Sequence, residues 1–443
     1  MEPLFELPIA EPGPPGAPGR GKPRLARAER QQVEMRLAAL DDLLPAEHVA
    51  RVIWALVEAM DLSAWYAEIQ AVEGEAGHPA IDPAILIALW LYATADGIGS
   101  ARQLDRLCGE HLAYQWLAGG VSVNYHTLAD FRVAHAAALD DLLTRHVAAL
   151  MAEGLVSLER TAQDGIRVRA SAGKGSYRRG ERLEQFQAEA QARVEQLKAQ
   201  AQNEPDQRSA RQAAAQARAA REKLARVQQT LAELASQTQS QAKNHQKKSA
   251  RRAPRASTTD PQAHIMKMPD NGFRPAYNGQ VVVDTGSGII VGVDVINQTD
   301  KGQVSPMVEQ LQIDYGRRPA EHLVDGGFVT HADLERVAAK QVIVYAPLPK
   351  PGTPDQDPTQ PRESDGPGVR AWRERMPTEA AKVIYKLRGQ TVEWANAGLR
   401  QHGLYQLRVR GLVKARAVLV WLALLHNLVC GQRLRAQAAG TQA

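Results

Sequence analysis

The sequence predicts a mixed α/β protein in which a mixed sheet is flanked by helices, preceded by an all-helical domain and interrupted by a long helical hairpin. Three observations carry that prediction. From about Arg30 to Gly154 the apolar residues recur only at helical spacing. Strand-like runs begin near Leu155 and alternate with helical segments after Val304. Residues 178–250 carry heptad-like spacing and no strand signal.

Residues 1–29 open with a Pro/Gly-rich stretch reaching about Pro23 and read as a disordered leader; no apolar h-region marks a secretory signal. In the helical domain, residues 30–154, Leu37, Leu40, Leu43 and Leu44 come first, followed by Val52–Met60 and the apolar stretch Pro83–Thr94. Asp82-Pro83 marks a helix start, because proline is tolerated where the backbone N–H has no partner. Gly119-Gly120 and Asn124 mark a turn ahead of another helix, and Asp130–Met151 closes the domain.

The second domain, residues 155–434, starts with an alternating strand at Arg160–Ala170. Gln280–Asp284 and Ile289–Ile296 are β-branched runs joined by Thr285-Gly286-Ser287-Gly288, a hairpin signature. Then come a helix (Val304–Leu311), a short strand (His322–Val324), a helix (His331–Lys340) and a strand (Val342–Ala346). In the insert at 178–250, Leu183, Phe186, Ala190, Val194 and Leu197 form one apolar seam. Ala217, Ala220, Leu224, Val227, Leu231 and Leu234 form a second, and Asn203-Glu204-Pro205-Asp206 breaks the helix between them. An antiparallel hairpin that pairs with itself satisfies both seams; it serves either as a spacer or as a DNA contact. Residues 347–370 are Pro-rich and read as a loop. Ala371–Leu387 and Val392–Leu399 read as helices, Val409–Val429 as a buried apolar helix, and 435–443 as a disordered tail.

The net charge of +5 and a pI near 9.1 permit a polyanionic partner. Distribution says more: from Arg400 to the end there are seven Lys or Arg and no Asp or Glu. A second basic run spans Lys243, Lys247, Lys248, Arg251, Arg252 and Arg255. Two cysteines, Cys108 and Cys430, without a CxxC or Cys/His cluster, argue against zinc or a disulfide framework and fit a reducing cytoplasm. The uncharged run Ala417–Gln432 is shorter than a membrane span, so no membrane partner is expected.

Three acidic residues stand out by context. Asp164 lies in a strand-like run before Gly165; Asp325 ends a short strand before Gly326-Gly327; Glu393 lies in a helical segment. Carboxylates at strand ends and on a facing helix can converge on one crevice, and a set of hard oxygen ligands suits Mg²⁺ or Mn²⁺. Taken alone, an Asp before Gly is more often a turn or cap than a metal ligand. Further along, Tyr385 and Arg388 lie one helical turn apart, and Glu393 and Arg400 two turns apart.

The segment Tyr385-Lys386-Leu387-Arg388-Gly389-Gln390-Thr391-Val392-Glu393 with Arg400 resembles the Tyr–Arg–Glu–Lys signature of insertion-sequence DDE transposases. Arg400 takes the Lys position, and one extra residue separates Arg388 from Glu393. Gln163-Asp164-Gly165-Ile166 is similar to that family's first-aspartate strand, and Val324-Asp325-Gly326-Gly327-Phe328 to its second-aspartate motif. Tyr277-Asn278-Gly279-Gln280, His78-Pro79-Ala80-Ile81-Asp82-Pro83 and Thr127-Leu128-Ala129-Asp130-Phe131-Arg132 also look like the family.

The resemblance implies an RNase H-like catalytic domain and two Mg²⁺ ions (Mn²⁺ as an alternative) held by Asp164, Asp325 and Glu393. It also implies that Tyr385, Arg388 and Arg400 grip double-stranded DNA, both transposon ends and target, within a homodimer or larger assembly. The expected activity is metal-dependent cleavage and strand transfer at terminal inverted repeats, in the bacterial cytoplasm at the nucleoid. Alternatives are an RNase H-fold nuclease without strand transfer, or a non-catalytic DNA-binding protein. The helix after Asn124 either reads DNA in a helix-turn-helix, with Arg102 and Arg106 on the backbone, or only packs. Trp394 is expected in the core rather than as a base-stacking wedge.

Overall fold

A computed structural model describes residues 38–71, 79–203, 207–243, 253–351 and 357–441. The expected leader over residues 1–29 and most of the second basic run, residues 244–252, lie outside the described residues.

The helical region is built from α1 (Val49–Glu58), α2 (Ser63–Ala67), α3 (Pro83–Ala95), α4 (Ala101–Glu110), α5 (Leu112–Ala118), α6 (Tyr125–Ala134) and α7 (Ala136–Ala152). Its ends follow local chemistry. Asp82 Oδ1 accepts from Ala84 N at 2.8 Å, satisfying a donor that the first turn of α3 leaves unpaired. Asn124 Oδ1 accepts from His126 N and Thr127 N, both at 3.0 Å, and starts α6. Gly119, with φ of +58°, ends α5 in the left-handed conformation that glycine adopts without strain. Helix α3 is buried on nearly every side from Leu86 to Tyr92, as a helix apolar all round must be.

The sheet begins with β1 (Arg160–Arg169). After β2 (Tyr177–Arg178) the chain leaves through α8 (Gly180–Asn203) and α9 (Gln207–Lys243) and returns at β3 (Ala256–Ser257), which pairs with β2 to close the base of the insert. Leu183, Ala190, Val194 and Leu197 on α8 and Val227 and Leu234 on α9 are buried, so the two apolar seams face each other as their spacing requires. Next come β4 (His264–Lys267), β5 (Phe273–Asp284), β6 (Ile290–Ile296), α10 (Val304–Tyr315), β7 (Glu321–Leu323), α11 (His331–Ala338) and β8 (Ile343–Tyr345). Helices α12 (Pro367–Arg375), α13 (Glu379–Gln401) and α14 (Leu412–Thr441) complete the chain.

The strands form an RNase H-like mixed sheet. β5 runs antiparallel to β1 along one edge, and its other edge is shared by β4 and then β6. β1 pairs in parallel with β7, and β7 with β8. The hydrophobic core is continuous from the helical region into this sheet, joined by α14, which packs on α3, α6 and α7 and on β5 and β6. Asn427 of α14 fastens β6 by accepting from Ile290 N at 2.8 Å and donating to Ile290 O at 2.7 Å.

Three boundaries differ from expectation. The last helical segment before α14 is one helix, α13, unbroken through Gly389, and the break falls earlier at Pro377, after which Thr378 caps α13 through Ala381 N. Helix α12 starts at Pro367, inside the expected loop. Helix α14 runs to Thr441 rather than ending before 435: Ala-rich sequence continues it, and Arg435 is held by both oxygens of Glu153 at 2.7 Å. Taken whole, Leu412–Gly440 is long and apolar enough to cross a membrane, but 67% of its most apolar window is buried inside the fold.

Candidate active site

The parallel pairing of β1 and β7 aligns Ala162 with Leu323. Asp164 and Asp325 each lie two residues beyond that pair, so the register brings both aspartates to the end of the β1–β7 pairing. At that level the strands part. β7 ends, its ladder with β8 closed by Val324 N donating to Tyr345 O at 3.0 Å, while β1 continues to Arg169 and meets Gln406. A sheet that splits in this way leaves a crevice beyond the strand ends, where α/β proteins place their ligands.

Asp325 is exposed on the turn that follows, and its Oδ1 accepts from Gly326 N at 2.6 Å. Neither Gly326 nor Gly327 has a positive φ, so the turn does not draw on glycine's left-handed freedom. A Cβ at position 326 would make an ordinary contact with Pro347 O, at 3.4 Å.

Helix α13 crosses β1, β5 and β8 and brings its side chains over the crevice. Arg388 Nη2 donates to Asp164 Oδ1 at 2.8 Å, and its Nη1 donates to Glu393 Oε1 at 3.1 Å. Asn396, two turns beyond Arg388, donates to Asp164 Oδ2 at 3.0 Å. Burial pushes the Asp164 carboxyl above its ordinary range, and the Arg388 guanidinium opposes that push. Tyr385 is half-buried, and its phenol is raised by burial first; Arg388 opposes, and the charges of Asp325, Glu393 and Asp164 raise it further. Glu393 is largely exposed. Arg400, in the last turn of α13, has no side-chain partner among the described residues.

Among the described residues, no three acidic, His or Cys side chains stand close enough to hold one metal ion as they are. Arg388 fills the space between Asp164 and Glu393 and balances their charge. The donor set itself, three carboxylates with oxygen ligands only, is the kind that hard divalent cations take.

Two features escaped the sequence reading. Asn396 holds Asp164, and only its spacing along α13 from Arg388 and Glu393 could have pointed to it. Asp300, in the loop after β6, lies against β1 at Gly165: a Cβ there would sit 2.0 Å from Asp300 Oδ1. That contact explains why glycine follows Asp164. Trp394 is not a core residue. It is 45% exposed, with its ring against Gly288, edge-on to His426 at 5.2 Å and below the Arg433 guanidinium at 5.4 Å.

Two family models match the chain. Residues 38–134 match the Transposase domain (DUF772), and residues 241–428 match the Transposase DDE domain. The chain belongs to the DDE transposases. Comparison with curated proteins and with solved structures returns no match. The DDE match spans Asp325, Tyr385, Arg388, Glu393 and Arg400 of the transposase but not Asp164, which precedes the helical insert. Strand pairing links Asp164 to the matched region, through β5 on one side and β7 on the other. As a DDE transposase the protein is a polynucleotidyl transferase that acts on DNA and depends on divalent metal.

Proposed function

We propose that the transposase cuts and rejoins double-stranded DNA at terminal inverted repeats, with Asp164, Asp325 and Glu393 as its metal-binding carboxylates. One observation supports this assignment: Arg388 of α13 bonds both Asp164 on β1 and Glu393, while β7, which leads into Asp325, pairs in parallel with β1. Two Mg²⁺ ions, or Mn²⁺, would activate the attacking water or 3′-hydroxyl and stabilise the leaving oxygen in an in-line displacement.

The chain's own side chains prepare that chemistry. Asn396 fixes the orientation of Asp164 by holding one oxygen. Arg388 keeps the Asp164 and Glu393 carboxylates together while their charge is otherwise unbalanced. Tyr385 offers a hydroxyl at the rim, where a phosphate oxygen of the cut strand can accept it. Arg400 supplies a cation two turns from Glu393 for the DNA backbone beyond. Pairing two transposon ends calls for at least a dimer on DNA, in the cytoplasm where the nucleoid lies.

The test is a strand-transfer assay with end-labelled repeats and Mg²⁺, comparing wild type with Asp164→Asn, Asp325→Asn and Glu393→Gln. Each substitution should reduce cleavage by at least about a hundredfold while duplex binding persists. Cleavage at the wild-type rate in any of the three removes that residue from the site.

A further inference from the structure

On the face of β1 opposite Asp164 runs a buried chain of polar side chains. Thr161 Oγ1 lies 2.7 Å from His322 Nδ1, and His322 Nε2 lies 2.9 Å from Gln163 Oε1. Gln163 Nε2 donates to Gln280 Oε1 at 2.8 Å, and Gln280 Nε2 to Asp300 Oδ1 at 3.0 Å. Thr161, Gln163, Gln280 and His322 are each fully buried.

The direction of every hydrogen bond in this chain is determined. Gln163 Nε2 also donates to the backbone carbonyl of Gln303 at 3.2 Å, and a carbonyl can only accept. The Gln163 amide therefore turns its Oε1 to His322, so His322 must carry its proton on Nε2. The bare Nδ1 then accepts from the Thr161 hydroxyl. At the other end Gln280 must aim its NH₂ at the Asp300 carboxylate. All donors point one way, from Thr161 to Asp300, and bonds aligned in series strengthen one another. Asn278 Nδ2 at 2.7 Å and Arg167 at 3.6 Å hold the Asp300 end.

The chain ties together three strands, β7, β1 and β5, at the level where β7 parts from β1. Gln163 immediately precedes Asp164, and His322 lies three residues before Asp325. Backbone pairing between β1 and β7 stops at Ala162 and Leu323. The Gln163–His322 bond is thus the last cross-link between the two strands before the two aspartates.

We propose that Gln163 and His322 are positioning residues that set the separation of Asp164 from Asp325, and with it the affinity of the site for divalent metal. The inference rests on the assignment of those two aspartates made above. Supporting residues behind metal ligands typically alter metal affinity by tenfold or more when lost.

Gln163→Met and His322→Leu keep the buried volume but remove the cross-link. In the full-length transposase each should raise the Mg²⁺ concentration for half-maximal cleavage on the order of tenfold, with the rate at saturating metal changed far less. Mn²⁺ affinity measured by calorimetry on the same proteins should fall in parallel. His322→Gln, which can still donate to Gln163, should recover part of the loss. If a core variant fails to fold, Asp300→Asn tests the far end of the chain and should shift the metal titration in the same direction. Unchanged metal titration and Mn²⁺ affinity in folded variants overturn the inference. Asp164→Asn and Asp325→Asn, assayed alongside, separate the two ideas. Should both cut normally, the site assignment fails; should both abolish cleavage while the Gln163 and His322 variants titrate as wild type, only the positioning role is lost.

Discussion

Arg388 reaches across from α13 to bond Asp164 on β1 at 2.8 Å, with the guanidinium mostly buried, 11% exposed. A second bond from the same guanidinium, at 3.1 Å, goes to Glu393. Arg388 is therefore an internal cation between two of the carboxylates proposed above to bind metal.

Arg388→Ala should lower the stability of the metal-free protein by about 1–3 kcal/mol, since a half-buried carboxylate loses its partner. Added Mg²⁺ would then relieve repulsion that Arg388 relieves in the wild type. The gain in Tm on adding Mg²⁺ should accordingly be larger in the variant than in the wild type. Thermal unfolding with and without metal measures both, and an equal or smaller gain in the variant contradicts the role given to Arg388.

Gly165→Ala tests the fit of Asp300 against β1. With its Cβ 2.0 Å from Asp300 Oδ1 and 2.9 Å from Asn278 Oδ1, alanine forces the Asp300 and Asn278 side chains out of their hydrogen bonds, or the strand to shift, at a cost of about 1–3 kcal/mol. Asp300→Ala alone also destabilises, because Asn278 and Gln280 lose their acceptor. The double variant should be less destabilised than the sum of the two single changes, a coupling that denaturant unfolding detects. Strict additivity would mean that the clash is not what excludes a side chain at 165.

Much of this was legible in the sequence because it is local. Alternation marked β1, the β-branched runs marked β5 and β6, and the heptad seams marked α8 and α9. What escaped was set by partners distant in sequence. The resemblance implies that Arg388 grips DNA, but nothing in the sequence signals its bond to Asp164, 224 positions earlier. Nothing around Asp300 in the sequence signals that it braces Gly165. The arrival of Asp164 and Asp325 at one end of the β1–β7 pairing depends on the parallel register of those strands, which the whole helical insert separates in sequence. Helix α13 read as two pieces because Gly389, Gln390 and Thr391 dilute its apolar pattern, although tertiary packing over β1 and β5 keeps it whole.

Stability should fall in acid through His322. Burial holds its imidazole neutral, with a pKa pushed down to about 4 from 6.5, and its polar neighbours Gln163 and Thr161 are uncharged. The unfolded chain binds this proton below pH 6.5 and the folded protein only near pH 4, so stability is complete above the upper value and drains away as pH falls towards the lower. The full effect is on the order of 3 kcal/mol. His146 and His426 are also lowered by burial and contribute a common background. Unfolding free energies of wild type and His322→Gln at pH values across this window isolate the term: the wild type should show the steeper slope, and parallel slopes would rule His322 out as its source.

Arg400 should act on DNA without acting on the fold. Its guanidinium has no side-chain partner among the described residues, and it opens the C-terminal stretch that carries basic residues and no acidic ones. Arg400→Ala should leave Tm within about 1 °C of the wild type, as surface changes away from packed groups do. Duplex affinity should weaken about equally for repeat and non-repeat sequences, because a phosphate contact carries no base information. The slope of log K against log salt should become shallower by about 0.9, one counterion's worth for one lost phosphate contact. A salt titration of binding, run on both proteins with both sequences, reads all three quantities. Weakening confined to the repeat sequence would instead assign Arg400 to a base edge, and an unchanged slope would remove it from the DNA path.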